Sequence, residues 1–228
     1  MSDVLYILGY GSTMYDWEIR LSLRSLDKYA KNIDRVFIVG KRPAFVKDVM
    51  HIPCGDPFQP SNNHFLKVFA AIDGGISENF LLMNDDFYMM KPFDVEKYPY
   101  YVRGKMETIE NPSRYQKMLN KTLDYLKHKG YDPVWHYGCH CPIIYNKTNF
   151  LELKPIFEKV KYEIIGLSPR ILYGNMFTNK HRVINDPKMH EDKLIAVNQA
   201  GCLSSSPKCQ EVLNKIVKLF PEKSRWEL

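Results

Sequence analysis

Two adjacent carboxylates, Asp85 and Asp86, close the apolar run Phe80-Leu-Leu-Met-Asn84. Paired charges in such surroundings are costly unless something compensates them. A Mg²⁺ or Mn²⁺ ion carrying a diphosphate would do so, because both cations share oxygen ligands between carboxylates and phosphates. The plainer alternative has Asp85 capping the next turn and Asp86 facing water. Gly9-Tyr10-Gly11-Ser12 follows another apolar run. Glycines there let backbone N–H groups approach a phosphate, but the spacing is neither GxGxxG nor a Walker loop, and a simple turn also explains it. Asp16, Arg20 and Arg24 recur at i, i+4 and i+8, with Glu18 beside them. Guanidinium forks suit phosphate oxygens; ion pairs along a helix surface are the alternative. Cys139-His140-Cys141 invites a zinc reading. A structural zinc site takes four ligands, often as two spaced pairs, and no CxxC is present. His140 is therefore a candidate acid, base or phosphate contact, with a satisfied buried histidine as the alternative.

These residues need elements to position them. Asp3–Leu8 is short, apolar and rich in β-formers, and Gly9 ends it. Ile19, Leu23, Leu26 and Ala30 then mark one face of a helix over 16–31, with Asp16 as its cap or first-turn acid. Arg35–Gly40 reads as a strand, 49–53 as a weaker one. Ser61 or Asn62 can cap a helix whose stripe is Phe65, Val68, Phe69 and Ile72. Phe80–Asn84 is a fourth strand. Strands alternating with helices predict an α/β fold with a mainly parallel sheet covered on both faces. Ligands of such sheets bind outside the carboxyl ends of the strands, which aims Gly9–Ser12, Gly40 and Asp85-Asp86 at one crevice. Beyond residue 110 the spacing predicts helices at 113–129, 148–159 and 208–220, a strand at 143–145, and a polar loop over 176–192 without a period.

The sequence has 228 residues, 45% hydrophobic and 25% charged, enough for one large domain with a substantial core. That composition excludes a disordered tail, a collagen-like repeat and a disulfide miniprotein. No apolar stretch reaches 18 residues, so no membrane span is expected. The opening Met1-Ser2-Asp3 lacks a basic n-region and an apolar h-region. Five cysteines, odd in number and unevenly spaced, then read as reduced thiols of a cytoplasm. The net charge of +6 mainly solvates a surface, and a polyanionic partner is the minority reading.

Taken together, these segments resemble a family. Glu18-Ile-Arg-Leu-Ser-Leu-Arg-Ser-Leu with Arg35–Gly40 resembles the ELRYSLRS…IYIVT block of Stealth proteins, which include sugar-phosphate transferases of capsule polymers. Ile76–Phe87 resembles their LSxxFLYLNDDxF block. Gly138–Pro142 is similar to a later block with a His-x-Pro core, and Phe220–Glu227 to the closing FPxxSxxE. The chain is also similar to short phage-encoded relatives described as glycosyltransferases. The resemblance implies a GT-A-like, Rossmann-like fold over a single transferase domain, with 1–110 as the nucleotide-sugar half and 111–228 as the acceptor-side half. It places Asp85 and Asp86 at the metal and diphosphate, and Glu18, His140 and Arg170 among active-site residues. Gly9, Gly11, Ser12, Arg20, Arg24 and Asn84 then fall on the donor side. The family's opening DVVYTWVDG is here Asp3–Gly11 without its Trp-Val-Asp.

The expectation is a metal-dependent glycosyltransferase of the cytoplasm, or of a host cytoplasm if phage-encoded. It moves a sugar from a nucleotide-sugar to an acceptor hydroxyl, on a glycan or on a hydroxymethylated base of phage DNA. Asp-bound metal and arginines would stabilise the leaving diphosphate, and Glu18 or His140 would serve as base. Sugar-1-phosphate transfer is one alternative, and a sugar-nucleotide-binding module without turnover another. A DNA acceptor requires Lys41, Arg42, Arg103, Lys105 and Lys180-His181-Arg182 to line the approach, with Tyr100 and Tyr101 stacking near the entrance.

Overall fold

The computed structural model describes residues 1–9, 15–189, 198–205 and 210–228, Gln210 by its backbone alone. Gly11, Ser12 and Cys209 lie outside the described residues.

The first apolar run forms β1 (Ser2–Leu8), followed by α1 (Trp17–Tyr29), β2 (Ile33–Gly40), β3 (Met50–Ile52), α2 (Pro60–Asp73) and β4 (Asn79–Met83). β1 pairs in parallel with β2 and with β4, and β2 with β3. An antiparallel edge strand, β6 (Ile143–Asn146), joins β4. The central order is thus β3-β2-β1-β4-β6, so one sheet takes strands from both halves of the chain. The order reverses direction between β1 and β4, and a crevice opens outside their carboxyl ends.

Period-2 alternation explains why helices cover both faces. Val4, Tyr6 and Leu8 of β1, Val36 and Ile38 of β2, and Leu81 and Met83 of β4 face one core, with Ile19, Leu23 and Leu26 of α1. Leu5, Phe37, Val39, Phe80 and Leu82 face the other, with Phe65, Val68 and Phe69 of α2. That second core also receives α3 (Arg114–His128), α5 (Lys154–Val160) and α6 (Pro169–Phe177). Truncating a fully buried phenylalanine such as Phe37 would cost about 3–5 kcal/mol.

A smaller sheet carries the chain past the paired aspartates. β5 (Phe87–Met89) lies antiparallel to β8 (Cys202–Ser205), which pairs with β7 (Lys188–Met189). The serines of α1 hold this sheet. Ser22 Oγ donates to the Phe87 carbonyl at 2.5 Å, and the Met89 N–H donates to Ser25 Oγ at 2.9 Å. α7 (Gln210–Leu219) packs Val212 and Ile216 against Leu21.

Several expectations shift. α2 is capped by Gln59, whose Oε1 accepts the Ser61 N–H at 3.1 Å, and Pro60 fills its first position. Asn62 is instead buried and donates to the carbonyls of Val160 and Lys161. The helix expected over 148–159 is two, α4 (Lys147–Leu151) and α5, broken before Pro155. α6 follows a segment with no strong apolar period and has no counterpart in the sequence reading. Two positions show why glycine is required. Gly40 has φ +117°, and a Cβ there would stand 2.0 Å from the Leu8 carbonyl oxygen. At Gly166 a Cβ would meet the Gln59 side chain at 2.1 Å, so this glycine lets a loop close over the start of α2. Among the described residues no helix is long and apolar enough to cross a membrane.

Candidate functional site

Two adjoining compartments occupy the crevice. The smaller, about 500 Å³, lies at the carboxyl ends of β1 and β4, between Gly9, Asp56, Lys67 and Asp85. The larger, about 610 Å³, is bounded by Phe87, Tyr115, His140 and Arg170. Pro60, His64 and Asn84 line both.

Asp85 and Asp86 sit in the turn between β4 and β5. Asp86 Oδ2 accepts from Lys188 Nζ at 2.8 Å and from Ser204 Oγ at 2.5 Å. Lys188 also donates to the Ser205 carbonyl. Asp85 is pushed up to about 7, by burial first and then by Asp86 and Glu18. Glu18 is itself 7% exposed and raised by burial and Asp86, with Lys188 opposing. Three carboxylates thus share one ammonium. Their excess negative charge and hard oxygen donors suit a divalent cation. Among the described residues no three metal-binding side chains are grouped to hold one. Glu18 lines neither compartment.

His140 and Arg170 come from the second half of the chain to the compartment floored by Asn84 and Phe87, the neighbours of the aspartates. His140 is fixed by Asp186, which accepts its backbone N–H at 2.9 Å and its Nδ1–H at 2.8 Å. Arg103 reaches the same carboxylate at 3.3 Å. Burial alone would raise Asp186, but the bonds from His140 and the charge of Arg103 hold it below the usual carboxylate range. A neutral imidazole that donates from Nδ1 keeps a lone pair at Nε2. Arg170 Nη2 donates to the Cys141 carbonyl at 2.6 Å, and its buried Nε has no hydrogen-bond partner among the described residues.

Arg20 and Arg24 do not serve as expected. Both grip Glu227, at 2.6 Å from Arg20 Nη1 and 2.7 Å from Arg24 Nε, and Arg24 Nη1 also donates to the Phe220 carbonyl. Glu227 is 2% exposed. Helical spacing suggested partners on α1 itself, whereas the acceptor lies some two hundred positions away. The arginines of one family-like block thereby bind the glutamate of another.

The basic residues proposed for DNA do not line the crevice. Neither compartment is lined by Lys41, Arg42, Lys105, Lys180 or Arg182, and Arg103 is held by Asp186. Tyr101 is 6% exposed and bonded to the Gln199 carbonyl, so it offers no stacking face. Cys139, Cys141 and Cys202 are buried free thiols.

Four residues escaped the sequence reading. Asp186 and Lys188 lie in the segment read as a featureless polar loop. Lys67, 3% exposed, crosses the smaller compartment to Asp56 and the Leu8 carbonyl. His64, between the compartments, is pushed down to about 3, chiefly by burial and then by Arg170 and Lys67, and is neutral at physiological pH. A polar run at the start of a stripe-bearing helix was the only signal available for it.

No protein-family model and no curated protein matches the sequence. Solved structures do match. The galactosyltransferase LgtC, in complex with donor and acceptor sugar analogs, superposes with a TM-score of 0.51 at 7% identity, over 98% of each chain. An active-site mutant of LgtC gives 0.51 at 8% identity with the same coverage. GlyE of Streptococcus pneumoniae gives 0.43 at 9% identity over 82% of this chain and 45% of its own. The LgtC superposition identifies the architecture as the GT-A type of glycosyltransferase fold.

Proposed function

We propose that this GT-A-fold chain transfers a sugar from a nucleotide-sugar donor to an acceptor hydroxyl. The observation that carries the reading is the junction at Asn84. There a compartment lined by Asp85 at the strand ends meets one lined by His140, whose ring Asp186 holds from outside the lining. The donor lies in the smaller compartment with its diphosphate toward Asp85; the acceptor lies in the larger one.

His140 Nε2 takes the proton of the acceptor hydroxyl. The acceptor oxygen then forms its bond to the anomeric carbon. The bond from that carbon to the diphosphate breaks, and its electron pair leaves with the nucleoside diphosphate. Asp186, held by Arg103, keeps the imidazole in the accepting tautomer and stabilises the imidazolium that forms. Asp85, with the Asp86 oxygen not engaged by Lys188, would hold Mg²⁺ or Mn²⁺, which supplies charge neutralisation for the leaving diphosphate.

Attack at the β-phosphorus with the same residues would break its bond to the bridging oxygen, expel the nucleoside monophosphate and transfer sugar-1-phosphate, which the motif resemblance favours. The mass gained by the acceptor separates the two, a sugar alone or a sugar with one phosphate. A panel of nucleotide-sugars, read by nucleoside diphosphate release with and without chelator, tests the proposal. Release should require Mg²⁺ or Mn²⁺, and Asp85→Asn should lower it by about a hundredfold or more. Nucleotide-sugar binding without any turnover would reduce the chain to a binding module. No binding at all, or full activity of the variant in chelator, would overturn the assignment.

A further inference from the structure

We infer that the acceptor carries a fixed negative group, a phosphate or carboxylate on a sugar, seated between Arg114 and Arg170. The inference rests on the transferase reading for its assignment of the larger compartment to the acceptor.

The first observation is charge. Arg114 and Arg170 line this compartment, and no aspartate or glutamate among the described residues does. Arg20, Arg24, Arg35, Arg103 and Arg225 each meet a carboxylate within 4 Å. Neither Arg114 nor Arg170 has such a partner among the described residues. Arg170 donates from Nη2 to a neutral carbonyl and lies over the Phe87 ring at 5.9 Å, and its buried Nε has no hydrogen-bond partner among the described residues. Leaving a guanidinium so poorly matched costs stability, and an incoming oxyanion would relieve it with charge-assisted bonds.

The second observation is the backbone. Three helices begin at this compartment: α2 at Pro60 and Ser61, α3 at Arg114 and Tyr115, and α6 at Pro169 and Arg170. Their positive ends add to the two arginines. α6 also starts at Ser168 with no side-chain cap. The smaller compartment differs, since its Lys67 is paired with Asp56 and Asp85 adds a further carboxylate, so the diphosphate proposed there would need a cation beside it. The anion seat therefore belongs to the side away from the paired aspartates.

The third observation is size. About 610 Å³ suits a sugar of one or two rings. A nucleic-acid backbone would need an open basic track, and Lys41, Arg42, Lys105, Lys180 and Arg182 line neither compartment.

Calorimetric titration without donor tests the inference independently of turnover. The probes are a neutral methyl hexoside, its 6-phosphate and the corresponding uronate, with a single-stranded oligonucleotide and a nucleoside diphosphate as separate arms. The anionic glycosides should bind at least about tenfold more tightly than the neutral one. Arg114→Gln, at an exposed position, should remove about that factor for the anionic glycosides and leave nucleoside diphosphate affinity unmoved. Equal binding of neutral and anionic glycosides would overturn the inference. So would binding of the oligonucleotide alone, or a loss confined to the nucleoside diphosphate, which would assign the arginines to the donor. Failure of the transferase reading shows separately, as absence of nucleotide-sugar turnover while this binding persists.

Discussion

Asp186 determines what His140 can do. A neutral imidazole offers one donor and one acceptor, and the 2.8 Å bond from Nδ1 to Asp186 Oδ2 settles which nitrogen is which. Asp186→Asn can turn its amide N–H₂ toward the ring and favour the opposite tautomer, with the proton on Nε2. Turnover should then fall about a hundredfold while acceptor KM stays near its wild-type value. The imidazole ¹⁵N signals of His140 should report the tautomer change directly. Unchanged signals with an unchanged rate would remove Asp186 from the mechanism. This residue was illegible in the sequence for a physical reason. Its partner stands 46 positions earlier, and the polar segment around it carries no period to flag it. The paired aspartates were legible because two charges ending an apolar strand violate the local pattern. The arginines of α1 were visible but misassigned, because helical spacing speaks only of neighbours three and four residues away.

At the scale of elements, β1, β2 and β4 follow from short apolar runs, and α1 and α2 from their stripes. Their alternation with helices was enough to orient the crevice. What the stripes could not show is how α1 uses its polar positions. Ser22 and Ser25 bond the backbone of β5 and so fix the strand that leaves the Asp85-Asp86 turn. Tyr115 likewise fits the apolar stripe of α3, yet it is 52% exposed and lines the larger compartment. The junction of β1 and β2 depends on Gly40. Gly40→Ala introduces a Cβ at a φ of +117° and 2.0 Å from the Leu8 carbonyl oxygen, so the strand ends must move apart. Stability should drop by about 2 kcal/mol or more, read by urea unfolding. Donor affinity should fall with it, because Leu8 leads into Gly9 of the smaller compartment. A variant of native stability would show that the strand ends relax freely.

At the scale of the whole molecule, Glu227 joins the last residues of the sequence to the first helix. Two arginines of α1 converge on its carboxylate, and the Ser224 N–H makes a third residue that donates to it, at 3.0 Å. Burial alone would raise this carboxyl. The bonds from Arg24, Ser224 and Arg20 outweigh it and bring the group down to about 2, against 4.5 for an ordinary glutamate. A carboxyl depressed in the folded state stabilises that state at every pH above its unfolded value. The contribution fades as pH falls from about 4.5 toward 2, because the unfolded chain takes up its proton first. The shift corresponds to about 3 kcal/mol at neutral pH. Glu227→Gln should therefore cost about that much at pH 7, where it leaves two guanidinium groups facing a neutral amide. At pH 3 the difference between wild type and variant should shrink to less than half, since the wild-type carboxylate has by then lost most of its advantage. Urea unfolding of both proteins at the two pH values measures this directly. An equal difference at pH 7 and pH 3 would mean that Glu227 acts by shape and hydrogen bonding alone, and that the acid sensitivity of the fold lies elsewhere.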